Sequence, residues 1–274
     1  MINFFRKTRK KLADDNKFLK YSRYAIGEIV LVVVGILIAL SINNWNEERK
    51  NQLNIDHYLT SLQESLNDDI ENLTNIENVN LFRLRSINYL MHITGKKAII
   101  DSETGSTLDS FTEKKSLSLS IIPQKYWNEL ENINDPELID LAFTWAGRPH
   151  IAQFNKQAVE ELKNTGMFSM IEDSKLKNAI NDYYLDQGWT YNELKEINIS
   201  SESKEWSHYL MTEIGVLVED VRFMNEPLKL LENPMTVIYL RNLGFSAIGR
   251  LKNAVRLKKR ALELIEKIEE EIGI

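Results

Sequence analysis

The stretch Ala25–Ile42, AIGEIVLVVVGILIALSI, decides how this chain is read. Its eighteen residues would rise roughly 27 Å as a helix at about 1.5 Å per residue, close to the hydrocarbon thickness of a bilayer. Glu28 is the one charge in the run. A helix this apolar on every face belongs in a membrane or at the centre of a very large protein. Tyr21 and Tyr24 stand at its start and Trp45 at its end, where amphipathic rings favour the headgroup level. The pattern predicts a transmembrane helix over residues 25–44.

Charge gives that helix a direction. Residues 1–23 carry eight Lys and Arg against Asp14 and Asp15, whereas just beyond the span come Arg49 and Lys50 beside Glu47 and Glu48. Cations stay on the cytoplasmic side, so the N-terminus is expected inside and everything after residue 45 outside. Ala39-Leu40-Ser41 does offer the small-residue spacing that signal peptidase reads. The run is nevertheless longer than a usual signal core, and it follows a long basic segment, so an uncleaved anchor is expected.

Two features inside the span point to partners. Gly27, Leu31, Gly35 and Ala39 recur every fourth residue, a largely small face that would let a second membrane helix approach, although Leu31 interrupts it. Gly and Ala are also common in membrane spans without any such role. Glu28 is a membrane carboxylate, a residue type that is costly in hydrocarbon and often marks an ion path or a pairing site. It lies one turn from Tyr24, so an interfacial position reached by headgroup water is the plainer account.

The same residues carry a family resemblance. MINFFRKTRKKL at the start, then NKFLKYSRYAIGEIVLVVVGILIALSINNWNEERK, resembles an uncharacterised membrane-protein family abundant in Bacteroidota. The strings GEIVLVVVGILIAL (27–40) and NNWNE (43–47) are its most specific part. A weaker similarity lies in LKNTGMFSMIEDSKLKNAINDYY (162–184), with Thr165 where Ser is usual. The resemblance implies a bacterial inner-membrane protein with a helical periplasmic domain, and it implies no chemistry.

Beyond the span, an all-α architecture is expected. The chain of 274 residues has 11 Gly, 5 Pro and no Cys, too few turn residues for a β architecture and no thiol for disulfide, zinc or nucleophile. Residues 46–94 read as one long amphipathic helix, with Ile55, Leu59, Leu62, Leu66, Ile70 and Leu73 stepping by three or four and Leu84, Ile87 and Met91 continuing the stripe. Continuous with the span, it would form a stalk over 45–94. Residues 95–118 contain Gly95, Gly105 and scattered Ser and Thr, and read as a loop. The segment 119–274 reads as a helical domain packed with the stalk, after a basic cytoplasmic segment 1–24. Asn134 or Asp135 caps a helix that has Pro136 in its first turn, and Gly147-Arg148-Pro149 ends it. Further helices are expected over 150–164, 173–196, 202–225 and 235–272, with breaks or kinks at Gly188, Pro227 and Pro234. The last has an expected stripe of Leu251, Val255, Leu262, Ile265, Ile268 and Ile272. Its basic cluster, Arg256 and Lys258 to Arg260, reads as a solvated face in which Lys259 pairs with Glu263, or as a surface packed antiparallel on the acidic stalk.

Chemistry is harder to find. The four histidines, His57, His92, His150 and His208, form no H-E-x-x-H pair, and neither G-x-G-x-x-G, a P-loop nor G-x-S-x-G occurs. The acidic run Glu129–Asp140 lacks the spacing and turn glycine of a calcium loop. His208 with Glu205 and Glu213 is the nearest to a polar constellation and reads as an exposed helix face. No catalytic residue, metal site or cofactor is therefore assigned. Outside residues 1–23 the chain carries 26 basic against 38 acidic residues, which argues against nucleic acid as a partner. Tyr126-Trp127, Trp145, Tyr183-Tyr184, Trp189-Thr190-Tyr191 and Trp206 are more large rings than a plain bundle needs, though each is also an ordinary core residue. Trp189 and Tyr191 are the preferred ligand or partner contact. The chain is read as a non-enzymatic, membrane-anchored domain that self-associates or serves as accessory subunit of an inner-membrane complex. Alternatives are a four-helix ligand-sensing module signalling through a partner and an ion-linked accessory subunit using Glu28.

Overall fold

The computed structural model describes residues 18–100, 136–148, 154–193 and 200–273. The basic start before residue 18, most of the expected loop 95–118, Tyr126-Trp127, Glu129, the candidate caps Asn134 and Asp135, and His150 lie outside these residues. Among the described residues the protein is all-α and contains no strand. It divides into two compact units, Met1–His57 and Tyr58–Ile274. The boundary falls inside the first helix, α1, which runs unbroken over Phe18–Ile93.

The described part of the first unit lies entirely in α1, and residues 29–45 are exposed on every face. Aliphatic side chains from Ile26 to Ile42 stand uncovered there. Soluble monomers rarely leave so long an apolar cylinder bare, and such patches mark protein or membrane contacts. Length and composition together qualify this helix to cross a bilayer.

The second unit is a helical bundle built on the rest of α1. Leu59, Leu62, Leu66 and Leu73 are buried, as the stripe predicts, and Ile70 is half-buried. From Ile76 to Met91 the amphipathic expectation fails, because every residue is buried or half-buried, including Asn80, Arg83 and Ser86. This half of α1 is a central helix covered from several sides. The helix ends at Thr94-Gly95, where Gly95 takes φ 69°. There the Gly95 and Lys96 amides donate to the His92 and Met91 carbonyls at 2.9 and 2.8 Å, the paired bonds that close a helix on a left-handed glycine. The chain then folds back on α1, with the Ile99 amide donating to Asn88 Oδ1 (2.7 Å) and Asn88 Nδ2 donating to the Ile99 carbonyl (3.0 Å).

Helix α2 spans Pro136–Ala146, with Pro136 as its first residue. Trp145 meets Phe82 of α1 edge to face at 4.9 Å. Helix α3 covers Gln157–Asn164, shorter than the expected 150–164, and a single turn, α4, follows at Met167–Met170. Helix α5 runs over Ser174–Gln187, capped by Asp173, whose Oδ1 accepts from the Lys175 amide at 2.7 Å. The expected 173–196 helix does not continue as α-helix past Gln187: residues Gly188–Glu193 widen into a π-helical turn. Helix α6 covers Ser200–Tyr209 and also widens over Leu210–Ile214. Gly215 at φ 79° then ends it, and 3-10 turns follow over Val218–Phe223 and Pro227–Glu232. The single helix expected over 202–225 is thus broken, because a residue in the left-handed conformation does not continue a right-handed helix.

Helix α7, Pro234–Ile272, closes the bundle. Asn233 caps it by accepting from the Met235 amide at 2.9 Å, with Pro234 at its first position. It lies antiparallel to α1: Gln63 Nε2 donates to Glu269 Oε1, and Lys258 Nζ to Glu77 Oε2, both at 2.7 Å. From Leu251 on, its buried stripe is Leu251, Ala254, Leu257, Ala261, Leu264, Ile265 and Ile268. Leu262, expected inside, is exposed, and Val255 and Ile272 are half-buried. Ala254 and Ala261 are buried in that stripe, and an apolar count passes over them in favour of bulkier neighbours.

Candidate functional site

In the first unit the small face is open. A Cβ built at Gly27 or Gly35 would meet nothing within 4 Å, Ala39 is exposed, and Leu31 stands 74% exposed between them. Tyr24 and Trp45 project outward at the two ends of the run, and Tyr21 lies in the same helix. Glu28 is half-buried one turn after Tyr24. Helical phase adds a relation that spacing by fours conceals. At about 100° per residue, Glu28 falls roughly 20° from Gly35 and Ala39 roughly 40°, while Gly27 falls roughly 80° away. The carboxylate therefore shares the face of the two smaller residues nearer the middle of the span.

In the second unit, α1 carries a row of polar side chains into the interior. Asp69 is fully buried, and its Oδ2 accepts from Tyr183 Oη and from Gln187 Nε2, each at 2.8 Å. Burial pushes its carboxyl up to about 6, against the lowering effect of those two donors, with the charge of Asp68 adding to the rise and Lys156 opposing it. Burial also raises the Tyr183 phenol, and the adjacent Asp69 charge raises it further. Two turns on, Glu77 receives Lys258. Asp186, at the end of α5, receives both Arg256 and Arg260 of α7.

Arg83 is fully buried beyond these. Its Nε and Nη2 donate to the Ala146 carbonyl at 3.3 and 3.1 Å and its Nη1 to Asn80 Oδ1 at 3.2 Å. The guanidinium thus sits on the last carbonyl of α2, where the helix dipole is negative. Burial first, and then the nearby Arg250 cation, pull it down to about 9, while Glu202 works the other way. Glu202 accepts from Arg250 Nη2 at 3.2 Å. These groups hold α1, α2, α6 and α7 together by satisfied polar contacts, a structural use of buried charge.

The sequence-predicted contact at Trp189 and Tyr191 does not form one surface. Trp189 is 66% exposed, whereas Tyr191 is 6% exposed and packs on Phe154 at 5.1 Å. Residues two apart on a helical turn lie on opposite sides of it, so the two rings point apart. His208, Glu205 and Glu213 are all exposed, as are His57 and His92. Among the described residues no three His, Cys, Asp or Glu side chains gather as a metal site would require. Asp69 and Arg83 were missed by sequence reading. The sequence offered no clear signal for them, because residues 69–83, DIENLTNIENVNLFR, hold many other polar side chains.

Comparison with known proteins bears on the apolar run and on the rest of α1. Residues 28–103 match a family model described as a family of unknown function (DUF6090). The matched stretch opens at Glu28 and takes in the rest of the span, the remainder of α1 and the turn back along Asn88. Among curated proteins there is no match, and among solved structures there is none.

Proposed function

We propose that the chain is a non-enzymatic, membrane-anchored helical protein that assembles through its span. The partner is a second copy or the span of an inner-membrane protein, and the helical unit stands on the periplasmic side. The observation that carries this reading is the open face on which Glu28, Gly35 and Ala39 share one phase of a helix of bilayer length. Small residues let helix backbones approach closely, and in lipid that packing drives association in place of the hydrophobic effect. The bias of eight cations before the span against two after it supports the orientation.

The test is the oligomeric state of the full chain in nanodiscs and in native membranes after cross-linking. Gly35→Leu should weaken association at least tenfold, about 1.4 kcal/mol, while Val34→Leu, one position off the face, should leave it unchanged. A chain that stays monomeric at every concentration and captures no membrane partner would refute the reading. The ion-linked alternative is favoured by the phase of Glu28, since helices packed on this face bring two carboxylates together. Glu28→Gln should then change the pH dependence of association, and an unaltered pH profile removes that alternative. The ligand-sensing alternative would draw support from a pocket lined by Trp189 and Tyr191, of which the first is exposed and the second buried.

A further inference from the structure

We propose that Asp69 is a proton-holding site: a neutral carboxylic acid joined to the Gln187 carboxamide as a cyclic pair, whose ionisation loosens α5 from α1. Asp69 is fully buried, and Gln187 is 1% exposed. Their hydrogen bond runs from Gln187 Nε2 to Asp69 Oδ2. The second oxygen on each side, Asp69 Oδ1 and Gln187 Oε1, is buried with no hydrogen-bond partner. Both are acceptors when the carboxyl is ionised, so neither can serve the other. One proton on Oδ1 changes that. It gives Oδ1 a donor that can reach Gln187 Oε1 while Nε2 still donates to Oδ2, and it satisfies two orphaned atoms at once. The balance is simple: one solvent proton adds to Oδ1 and nothing else is made or broken.

The surroundings favour the neutral form. On α5, Tyr183 donates to Oδ2 and Tyr184 lies close enough for the Asp69 charge to oppose its ionisation. On α1 the neighbouring charge is Asp68, which disfavours a second anion, and before α3 the one opposing cation is Lys156. On α7, the register set by Gln63 with Glu269 and Glu77 with Lys258 brings buried Ala261, Leu264 and Ile265 level with Asp69. Of the α7 cations around that level, Lys258, Arg256 and Arg260 are taken by Glu77 and Asp186, and Lys259 and Lys267 are exposed to solvent. Ionisation leaves Oδ1 in need of water, and its entry separates the two helices that Tyr183 and Gln187 bind together.

The sign follows from a carboxyl raised from 3.8 to about 6 on folding. The folded state binds the extra proton between those values, so the contribution is fully present below the lower value and lost as pH rises through about 6. The full chain in nanodiscs is unfolded with urea at pH 5 and pH 8, followed by Trp fluorescence. The unfolding equilibrium should favour the unfolded state roughly tenfold more at pH 8 than at pH 5, because at pH 5 the unfolded carboxyl is already ionised and the folded one holds most of its proton. Asp69→Asn, whose amide can donate to Gln187 Oε1, should abolish that difference and exceed the wild type in stability at pH 8. Should that variant fail to fold, Tyr183→Phe removes a donor that favours the anion and should move the wild-type transition to higher pH. A wild type whose stability does not fall over this range overturns the proposal. So does an Asp69→Asn variant with the wild-type pH slope, or an unmoved transition in Tyr183→Phe.

Discussion

At Gly147 the ring of Trp206 fills the space into which a Cβ would project, with Nε1 only 2.9 Å from that point and a ring carbon nearer. Trp206 is fully buried and stacked toward Tyr209, and the neighbouring Ala146 carbonyl is held by Arg83, so neither side can yield. Gly244 presents the same overlap, but there the atom in the way is Cδ1 of Ile99, the tip of a flexible side chain. Gly147→Ala should therefore destabilise the helical unit by about 1–3 kcal/mol, as overpacking of a tight interior does. Gly244→Ala should cost less than about 1 kcal/mol, partly offset by the gain in helix propensity. Urea midpoints of the two variants beside the wild type decide it; equal losses would show that Trp206 yields as readily as Ile99.

Among the elements, those whose ends are written in local chemistry were legible. Pro136 opens α2, Asn233-Pro234 opens α7 and Gly95 closes α1, because a cap or a left-handed turn needs only the residues beside it. The interior half of α1 was not legible. Asp69, Asn80 and Arg83 lie where an amphipathic helix would turn polar residues to water, and only the arrival of α2, α5, α6 and α7 from distant sequence buries them. The candidate face of the span was half legible: spacing by fours found Gly27, Gly35 and Ala39 but missed that Glu28 lies closer in phase to Gly35 than Gly27 does. The span also allows an element-scale prediction. Val34→Asp places a carboxylate near the middle of the run rather than one turn from its edge, and should cost about 3 kcal/mol of insertion. Glu28→Asp keeps the charge at the edge and should leave insertion unchanged. Carbonate extraction of membranes measures both, and a Val34→Asp chain that stays membrane-bound as fully as the wild type would show that the run is not set in hydrocarbon.

For the whole molecule, orientation decides which compartment the helical unit meets, and the sequence supplies an unusually clean means to read it. The chain contains no cysteine, so a single introduced thiol reports without background. Lys204→Cys places one on an exposed position of α6, and Thr8→Cys places one in the basic segment ahead of the span. With the N-terminus inside, a membrane-impermeant maleimide added to spheroplasts should label the α6 thiol, and the thiol at residue 8 only after lysis. The inverse pattern would mean that eight flanking cations had crossed the bilayer, each against a membrane potential worth about 2.3 kcal/mol per charge at 100 mV. The same experiment bears on Asp69. A helical unit outside the cytoplasm meets the external pH directly, and a carboxyl that titrates near 6 would then follow acidification that the cytoplasm buffers away. The two questions then join in one chain: accessibility of the α6 thiol from outside fixes the side, and a urea midpoint that falls between pH 5 and pH 8 reports the loosening around Asp69.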